Sequence, residues 1–324
     1  MLTRGRHHGH AALWLENDLL RVGLLPEKGA DIFELTSRPE GVQLLMESPS
    51  GLRPPSGRLP EDFLENYEGG WQELFPNHGD ACTFHGRMMP MHGEVALLPW
   101  EAQVLEDNPQ KTTVNFKVHC RKAPLVLERT MRVRSDLAVL EILSRVTNDS
   151  GEECEFVWGH HLTFGESFLR EGSTLDLPAE RLFTPDPVYE PATARLAPGQ
   201  AGPWPWALGR DGSPVDLRRI GRRELHSHDD AYLTGLARGH FSLTSPSLKL
   251  RFSLDWDARL FPWVILWQPY GGAELPPLTG MYGVGIEPWS SRYPLDEASR
   301  RGEAHRLAGH QSLETRLAAS IEKL

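Results

Sequence analysis

The chain of 324 residues lacks the features that several large protein classes require. It contains only three cysteines, Cys82, Cys120 and Cys154, and no C-x-x-C spacing. A disulfide framework is therefore not expected, and a reducing, cytoplasmic location is favoured. The longest apolar run, 261–267, is far too short to span a bilayer, and the first residues show no apolar segment of a signal peptide.

Positive charge and nucleotide-binding motifs are also scarce. Lys and Arg number 34 against 44 Asp and Glu, which gives a net charge of −10. Such a chain is not attracted to nucleic acid or to an anionic membrane surface, so neither is expected as a partner. The sequence has no G-x-S-x-G, G-x-G-x-x-G, G-x-x-x-x-G-K-[ST] or H-E-x-x-H motif, so serine hydrolase and nucleotide chemistry are unsupported and no cofactor is expected.

The pattern that dominates the chain is alternation of apolar and polar residues. It predicts strands at 13–16 and 19–25 around the turn Asn17-Asp18, and further strands at 30–35, 95–105, 112–120, 125–133, 138–147, 154–162, 231–236, 241–243, 248–254 and 263–267. Short strands at this spacing indicate an all-β sandwich rather than βαβ units. The same style continues after the Pro/Gly-rich stretch 185–221, so we predict one domain over 1–324, with 1–10 as a disordered segment. The end of the chain, 312–324, fits a helix or a strand.

Two adjacent histidines, His160 and His161, stand in the apolar stretch VWGHHLTFG. Burying an imidazole without a partner costs roughly 1–3 kcal/mol, so something must compensate for it. A buried carboxyl, such as Glu287 in GIEPW, would complete a general acid–base pair, because burial moves the two pKa values toward neutrality. The structural alternatives are a core histidine bonded to a carbonyl and an ion pair between Glu287 and Arg292.

A metal site is a further possibility for the histidines. His226 and His228 form an H-x-H that is followed at once by Asp229 and Asp230. Imidazole and carboxylate are common ligands of zinc and iron. The adjacent acids do not match a ligand set on neighbouring strands, and we expect no metal.

Several blocks occur in a fixed order along the chain: LRVGLLPEKGADI from residue 20, EGGWQELFPNHG from 68, MHGE from 91, HHLTF from 160, VILWQP from 264 and GIEPW from 285. This ordered set resembles the aldose 1-epimerase (galactose mutarotase) family, especially its divergent bacterial branches. The resemblance covers residues from about 20 to 290. It implies a large antiparallel β-supersandwich and interconversion of the α and β anomers of an aldose, without a metal or nucleotide.

The resemblance also assigns roles to residues. It places the catalytic acid at His161 and the general base at Glu287, with His92 as a second active-site histidine. Further sugar contacts are expected from His78, His160, Arg87, Asp230, Gln268 and Trp289. The family's sugar-binding Asp has no clear counterpart in the alignment of motifs, and Asp229 and Asp230 are the candidates for it.

Departures from the family pattern narrow the expected substrate. Sugar-phosphate mutarotases carry an R-G-G element where this chain has Glu68-Gly69-Gly70. A carboxylate in place of the arginine disfavours a phosphorylated hexose, so we predict an unphosphorylated monosaccharide or related sugar. A non-catalytic carbohydrate-binding protein and a metal-dependent sugar isomerase stay open as alternatives, as does the choice between monomer and homodimer.

Overall fold

The computed structural model describes residues 1–56 and 62–324. Its largest element is a sheet of 12 strands, in which every ladder between neighbours is antiparallel. In spatial order its strands are β1 (Leu2–His7), β2 (His10–Glu16), β3 (Leu20–Leu25), β4 (Asp31–Ser37), β6 (Trp71–Leu74), β14 (Gly159–Phe164), β24 (Val284–Trp289), β23 (Trp263–Tyr270), β20 (Ser227–Thr234), β16 (Arg181–Phe183) and β17 (Ala201–Pro203), with β5 (Val42–Gln43) beside β4.

A second sheet has eight strands and is also antiparallel. Its spatial order is β15 (Thr174–Asp176), β21 (His240–Ser245), β22 (Leu250–Asp255), β26 (Ser312–Lys323), β12 (Val139–Asn148), β11 (Leu125–Arg134), β10 (Lys111–His119) and β9 (Glu101–Asp107). The strand at the end of the chain, β26, lies between β22 and β12 and pairs with both.

Small elements complete the described part of the chain. Three two-stranded ribbons pair β13 (Cys154–Phe156) with β25 (His305–Leu307), β18 (Trp206–Leu208) with β19 (Pro214–Asp216), and β7 (Cys82–Phe84) with β8 (Arg87–Met89). The one α-helix among the described residues, α1, spans Leu295–Arg301. Short 3-10 turns lie at Leu64–Asn66, Val95–Leu97 and Arg223–Leu225.

The two large sheets share one hydrophobic core. Val22 and Leu266 of the large sheet belong to the same buried cluster as Phe116 and Ile142 of the second sheet. A buried ion pair also joins the layers, since Nη1 of Arg129 on β11 lies 3.0 Å from Oε2 of Glu73 on β6. No helix within 1–56 and 62–324 is long and apolar enough to cross a membrane.

The all-β sandwich predicted from the alternation is confirmed, with corrections in detail. Residues 2–7 form β1 and pair with β2, where a disordered segment was expected. The predicted strand 95–105 begins as a 3-10 turn, and 154–162 is divided into β13 and β14 by Val157 and Trp158. The stretch 185–221 contains three short strands. A single domain over the whole chain stays a prediction.

Candidate active site

A cavity of about 530 Å³ opens on the face of the large sheet that points away from the second sheet. Its size falls within the range of small-molecule sites. Strands β14, β20, β23 and β24 form its floor, and loops between strands form its walls. Its lining includes Phe63, Tyr67, His78, Asp80, His92, His161, Tyr189, His228, Asp230, Tyr232, Trp267, Glu287 and Arg292.

His161 and Glu287 lie directly opposite each other on neighbouring antiparallel strands. The register of β14 and β24, which pairs Gly159 with Trp289 and Thr163 with Gly285, places them as a cross-strand pair on the cavity face. Nε2 of His161 is 3.6 Å from Oε1 of Glu287. Both side chains are buried, yet both line the cavity. The structure therefore brings together the two side chains that were predicted to act on one substrate, and their action on it stays a prediction.

His160 points in the opposite direction. Successive side chains alternate across a strand, so the neighbour of His161 enters the core between the sheets, next to Trp158 and Phe261. Neither of its ring nitrogens has a hydrogen-bond partner among the described residues. The prediction that His160 contacts sugar is wrong, because it lies on the other side of the sheet.

Glu287 is held by the indole of Trp289, two residues further along β24. The Trp289 Nε1–H donates to Oε2 of Glu287 at 3.1 Å. A Cβ at Gly159 on the adjacent strand would overlap that indole, so only glycine leaves room for it. Trp289 is fully buried and lies beneath the cavity. It supports the carboxyl and does not line the site, which corrects its predicted role as a sugar contact.

Burial shifts the pKa values of the pair toward each other. It raises the pKa of Glu287 well above its ordinary value, a shift that the Trp289 hydrogen bond opposes and the nearby Asp230 reinforces. Burial, with a contribution from His92, lowers the pKa of His161 well below its ordinary value. Proton exchange between an acid and a base is easiest when their pKa values are similar. Burial therefore moves the two pKa values in the direction that such an exchange requires.

His78 and His92 reach the cavity as the family resemblance implied. The ring of His92 lies 5.7 Å from that of His161 and 5.9 Å from that of His78, measured between centroids. Burial lowers the pKa of His92 to about 4, and burial followed by repulsion from His92 and His161 lowers the pKa of His78. Both rings are therefore neutral at pH 7 and able to exchange hydrogen bonds with hydroxyl groups.

Strand alternation also separates the two candidate aspartates. Asp230 lines the cavity, and burial raises its pKa to about 6. Asp229 faces the other way, where Oδ1 accepts the backbone N–H groups of Arg195 and Leu196, each at 2.8 Å. Asp230 is therefore the aspartate in a position to contact a ligand.

Two predicted sugar contacts lie elsewhere. Arg87 is exposed on β8, and its Nη1 donates to the carbonyl of Lys122. Gln268 is buried on the side of β23 that faces away from the cavity, and its Oε1 accepts from Nη2 of Arg195 at 3.1 Å. Both predictions are wrong. Arg87 lies on the β7–β8 ribbon, outside the cavity, and Gln268 points to the face of β23 opposite to the cavity-lining Trp267.

Arg292 is a cavity residue that the sequence pointed to in a different role. It does not pair with Glu287, and no ion pair involves it within the described chain. Its guanidinium carbon lies 4.4 Å from the ring centroid of Phe183 and 4.8 Å from that of Trp263, while Nη2 donates to the Tyr293 hydroxyl at 2.7 Å. The Ser-Ser-Arg-Tyr that follows GIEPW carries no pattern that would reveal this placement.

The H-x-H of His226 and His228 is not assembled as a ligand set. His228 donates from Nδ1 to Oε2 of Glu190 at 3.0 Å, because Nε2 accepts the Trp267 indole N–H at 2.6 Å. His226 is exposed and has a positive φ. Across 1–56 and 62–324, no three His, Cys, Asp or Glu side chains are arranged to hold a metal ion.

Glu190 joins segments of the chain around the cavity by hydrogen bonds. Its carboxylate accepts the backbone N–H groups of Glu274 and Leu275 as well as the proton of His228. The neighbouring Tyr189 lines the cavity and is about half exposed. The stretch 185–221, to which no role was assigned from the sequence, therefore contributes part of the wall.

Glu68, whose carboxylate was expected to disfavour a phosphorylated sugar, does not line this site. It lines a separate cavity of about 610 Å³, together with Glu34, Glu47 and Arg223, and forms an ion pair with the buried Lys28. Glu68 therefore does not contact a ligand at His161 and Glu287, and its charge is paired with that of Lys28.

The chain is similar in structure to several solved proteins at low sequence identity. The Slr1438 protein from Synechocystis sp. PCC 6803 is 20% identical with a TM-score of 0.70, covering 99% of this chain and 98% of its own. A galactose mutarotase related enzyme from Lactobacillus acidophilus is 18% identical with a TM-score of 0.65, covering 96% and 97%. A galactose mutarotase-like protein from Clostridium acetobutylicum is 15% identical with a TM-score of 0.63, covering 100% and 99%.

At these identities the likeness establishes the fold, which is that of galactose mutarotase-like proteins. A family model described as "Domain of unknown function (DUF4432)" matches residues 7–200. Among curated proteins, none matches the chain.

Proposed function

We propose that this chain, which belongs to the DUF4432 family, is an aldose 1-epimerase that interconverts the α and β anomers of a monosaccharide by acid–base catalysis. The observation that supports the proposal is the cross-strand pair at the cavity, with 3.6 Å between Nε2 of His161 and Oε1 of Glu287. The fold shared with galactose mutarotase-like proteins agrees with it.

The reaction needs a base and an acid at two oxygens on one carbon. In the protonation state in which Glu287 is ionised and His161 is protonated, Glu287 accepts the proton of the anomeric hydroxyl while Nε2 of His161 donates to the ring oxygen. The bond from C1 to the ring oxygen breaks and C1 becomes an aldehyde. Rotation about C1–C2 presents the other face, and closure returns both protons. Because both oxygens are bonded to C1, one close-set pair of side chains can serve them together.

The remaining cavity residues suit a neutral, hydroxyl-rich ligand. His78 and His92 provide neutral donors and acceptors, Asp230 accepts hydroxyl protons, and Trp267 offers an apolar ring face to sugar C–H groups. The reaction requires an ionised Glu287 and a protonated His161, so the two side chains together must carry one exchangeable proton. We therefore expect a bell-shaped dependence of kcat/KM on pH.

The test is the rate of anomer exchange of freshly dissolved α-D-glucose and α-D-galactose, followed by polarimetry. We expect Glu287→Gln and His161→Ala to reduce the catalysed rate by about 10²- to 10⁴-fold, as for removal of a general acid or base. Glu224→Gln and His240→Ala are matched controls, since Glu224 is exposed and His240 lies on the second sheet.

Three results would count against the proposal. If both site variants keep the wild-type rate while circular dichroism shows them folded, the pair is not catalytic. If the wild-type protein binds sugars and accelerates no anomer exchange, it is a carbohydrate-binding protein. If activity depends on an added divalent metal and is lost with a chelator, the chain is a metal-dependent isomerase.

A further inference from the structure

Arg292 is the only lysine or arginine among the described residues that line the candidate active site. The other basic side chains there are histidines, three of which have a pKa lowered by burial. The cavity therefore contains one permanent positive charge.

The groups in direct contact with this charge are aromatic, and no carboxylate of the described residues lies within ion-pair distance of it. Its guanidinium lies near the rings of Phe183, Trp263, Tyr293 and Tyr232, at 4.4, 4.8, 4.9 and 5.9 Å from their centroids. Nε of Arg292 is buried without a hydrogen-bond partner in the described chain. Aromatic faces hold a cation in position, but they leave the in-plane N–H groups free to bond elsewhere.

A partly buried cation without a counter-ion is costly unless a ligand provides one. Taking an ionised group out of water is unfavourable when no opposite charge accompanies it. The planar guanidinium fork matches a carboxylate, and its hydrogen bonds to an anion are about twice as strong as those to a neutral oxygen. The missing partner of Arg292 is thus most simply a group on the substrate.

The charge of the site limits what that group can be. Asp230 lines the cavity, and the exposed Asp80 lies at its mouth. A phosphate monoester carries about −1.5 to −2 at pH 7 and would be under-compensated by one arginine beside these acids. A carboxylate carries a single charge that one guanidinium can neutralise. A single arginine beside Asp230 and Asp80, rather than Glu68, therefore disfavours a phosphorylated sugar at this site.

We infer that Arg292 selects an aldose bearing a carboxylate, so that the substrate of this site is a hexuronate rather than a neutral hexose. This inference rests on the proposed function for its reaction, but it makes a separate statement about binding. Arg292 touches the substrate's anion and takes no part in the proton transfers at C1.

The experiment compares anomer exchange of D-glucuronate and D-galacturonate with that of D-glucose, D-galactose and D-glucose 6-phosphate, measured by NMR exchange spectroscopy. We expect kcat/KM for a hexuronate to exceed that for the matching neutral hexose by about tenfold or more. Arg292→Gln should raise KM for the hexuronate by about 10- to 100-fold, with a much smaller effect on the neutral hexose. Arg292→Lys keeps the charge without the fork and should lie between.

Arg87→Gln serves as the matched control, because Arg87 is exposed and outside the cavity. Calorimetric binding of D-glucuronate to the Glu287→Gln protein provides a readout that needs no turnover. If this binding depends on Arg292 while no sugar is epimerised by the wild type, the proposed function fails and the inference stands. A neutral hexose or a sugar phosphate that is preferred, or an equal loss for all sugars in Arg292→Gln, overturns the inference.

Discussion

The hydrogen bond from Trp289 to Glu287 allows a quantitative prediction about the pH dependence of catalysis. The perturbation is Trp289→Phe, which removes the indole N–H that lies 3.1 Å from Oε2 and keeps an aromatic ring beneath the cavity. The donor favours the ionised carboxylate, so its loss should raise the pKa of Glu287 further.

The size of the shift follows from the strength of such a bond. A hydrogen bond to a charged group contributes about 1.5–3 kcal/mol, and one pKa unit corresponds to about 1.4 kcal/mol. We therefore expect the pKa of Glu287 to rise by about 1–2 units. Because the base must be ionised to accept a proton, the acid limb of the kcat/KM profile should move to higher pH by the same amount.

The assay is anomer exchange measured across the pH range on folded protein. Trp256→Phe is the matched control, since its indole donates to the carbonyl of Phe261 at 3.0 Å, away from the site, and its loss should leave the profile in place. A limb that stays where it is, or moves to lower pH, in an active Trp289→Phe protein would refute the argument.

Two further predictions concern stability. His160→Leu should retain activity and be more stable than the wild type at low pH. Burial, with repulsion from Arg129, lowers the pKa of His160 to about 3, so below pH 6.5 the unfolded chain takes up a proton that the folded chain does not. The free energy of unfolding of the variant, measured in urea, should therefore exceed that of the wild type by about 3 kcal/mol at pH 4. An equal pH dependence of the two proteins would contradict this. Glu287→Gln should match the wild type in Tm near pH 4 and exceed it increasingly as the pH rises. The reason is that a carboxyl whose pKa is raised in the folded state destabilises the folded protein above the ordinary pKa of 4.5. A constant difference in Tm across that range would show that Glu287 does not titrate as described.

Much of the fold was accessible from alternation, but strand ends and partners were not. The end of the chain fitted a helix and a strand equally well, and pairing of β26 on both edges decides for the strand. The first residues form β1 only because β2 offers an edge to pair with. Long-range pairing of this kind leaves no local trace in sequence.

The site was accessible only as far as residue type and motif order reach. They pointed to His161 and Glu287 as candidates, but the choice between His160 and His161, or between Asp229 and Asp230, depends on which face of the sheet is buried. Gln268 likewise lies outside the cavity, because successive side chains of β23 point to opposite faces of the sheet. Arg292 follows the last motif and enters the site through the loop after β24, which no periodicity describes.

The absence of a side chain at position 159 has a consequence for how this site can change. The glycine makes space for the indole that donates to the Glu287 carboxyl, so even a methyl group there would displace that indole. Gly159, which has no side chain, thus influences the pKa of Glu287 on the neighbouring strand through the position of Trp289. Comparisons of active sites that consider only reactive side chains would overlook it, although substitution at this position should be as damaging as loss of a catalytic residue.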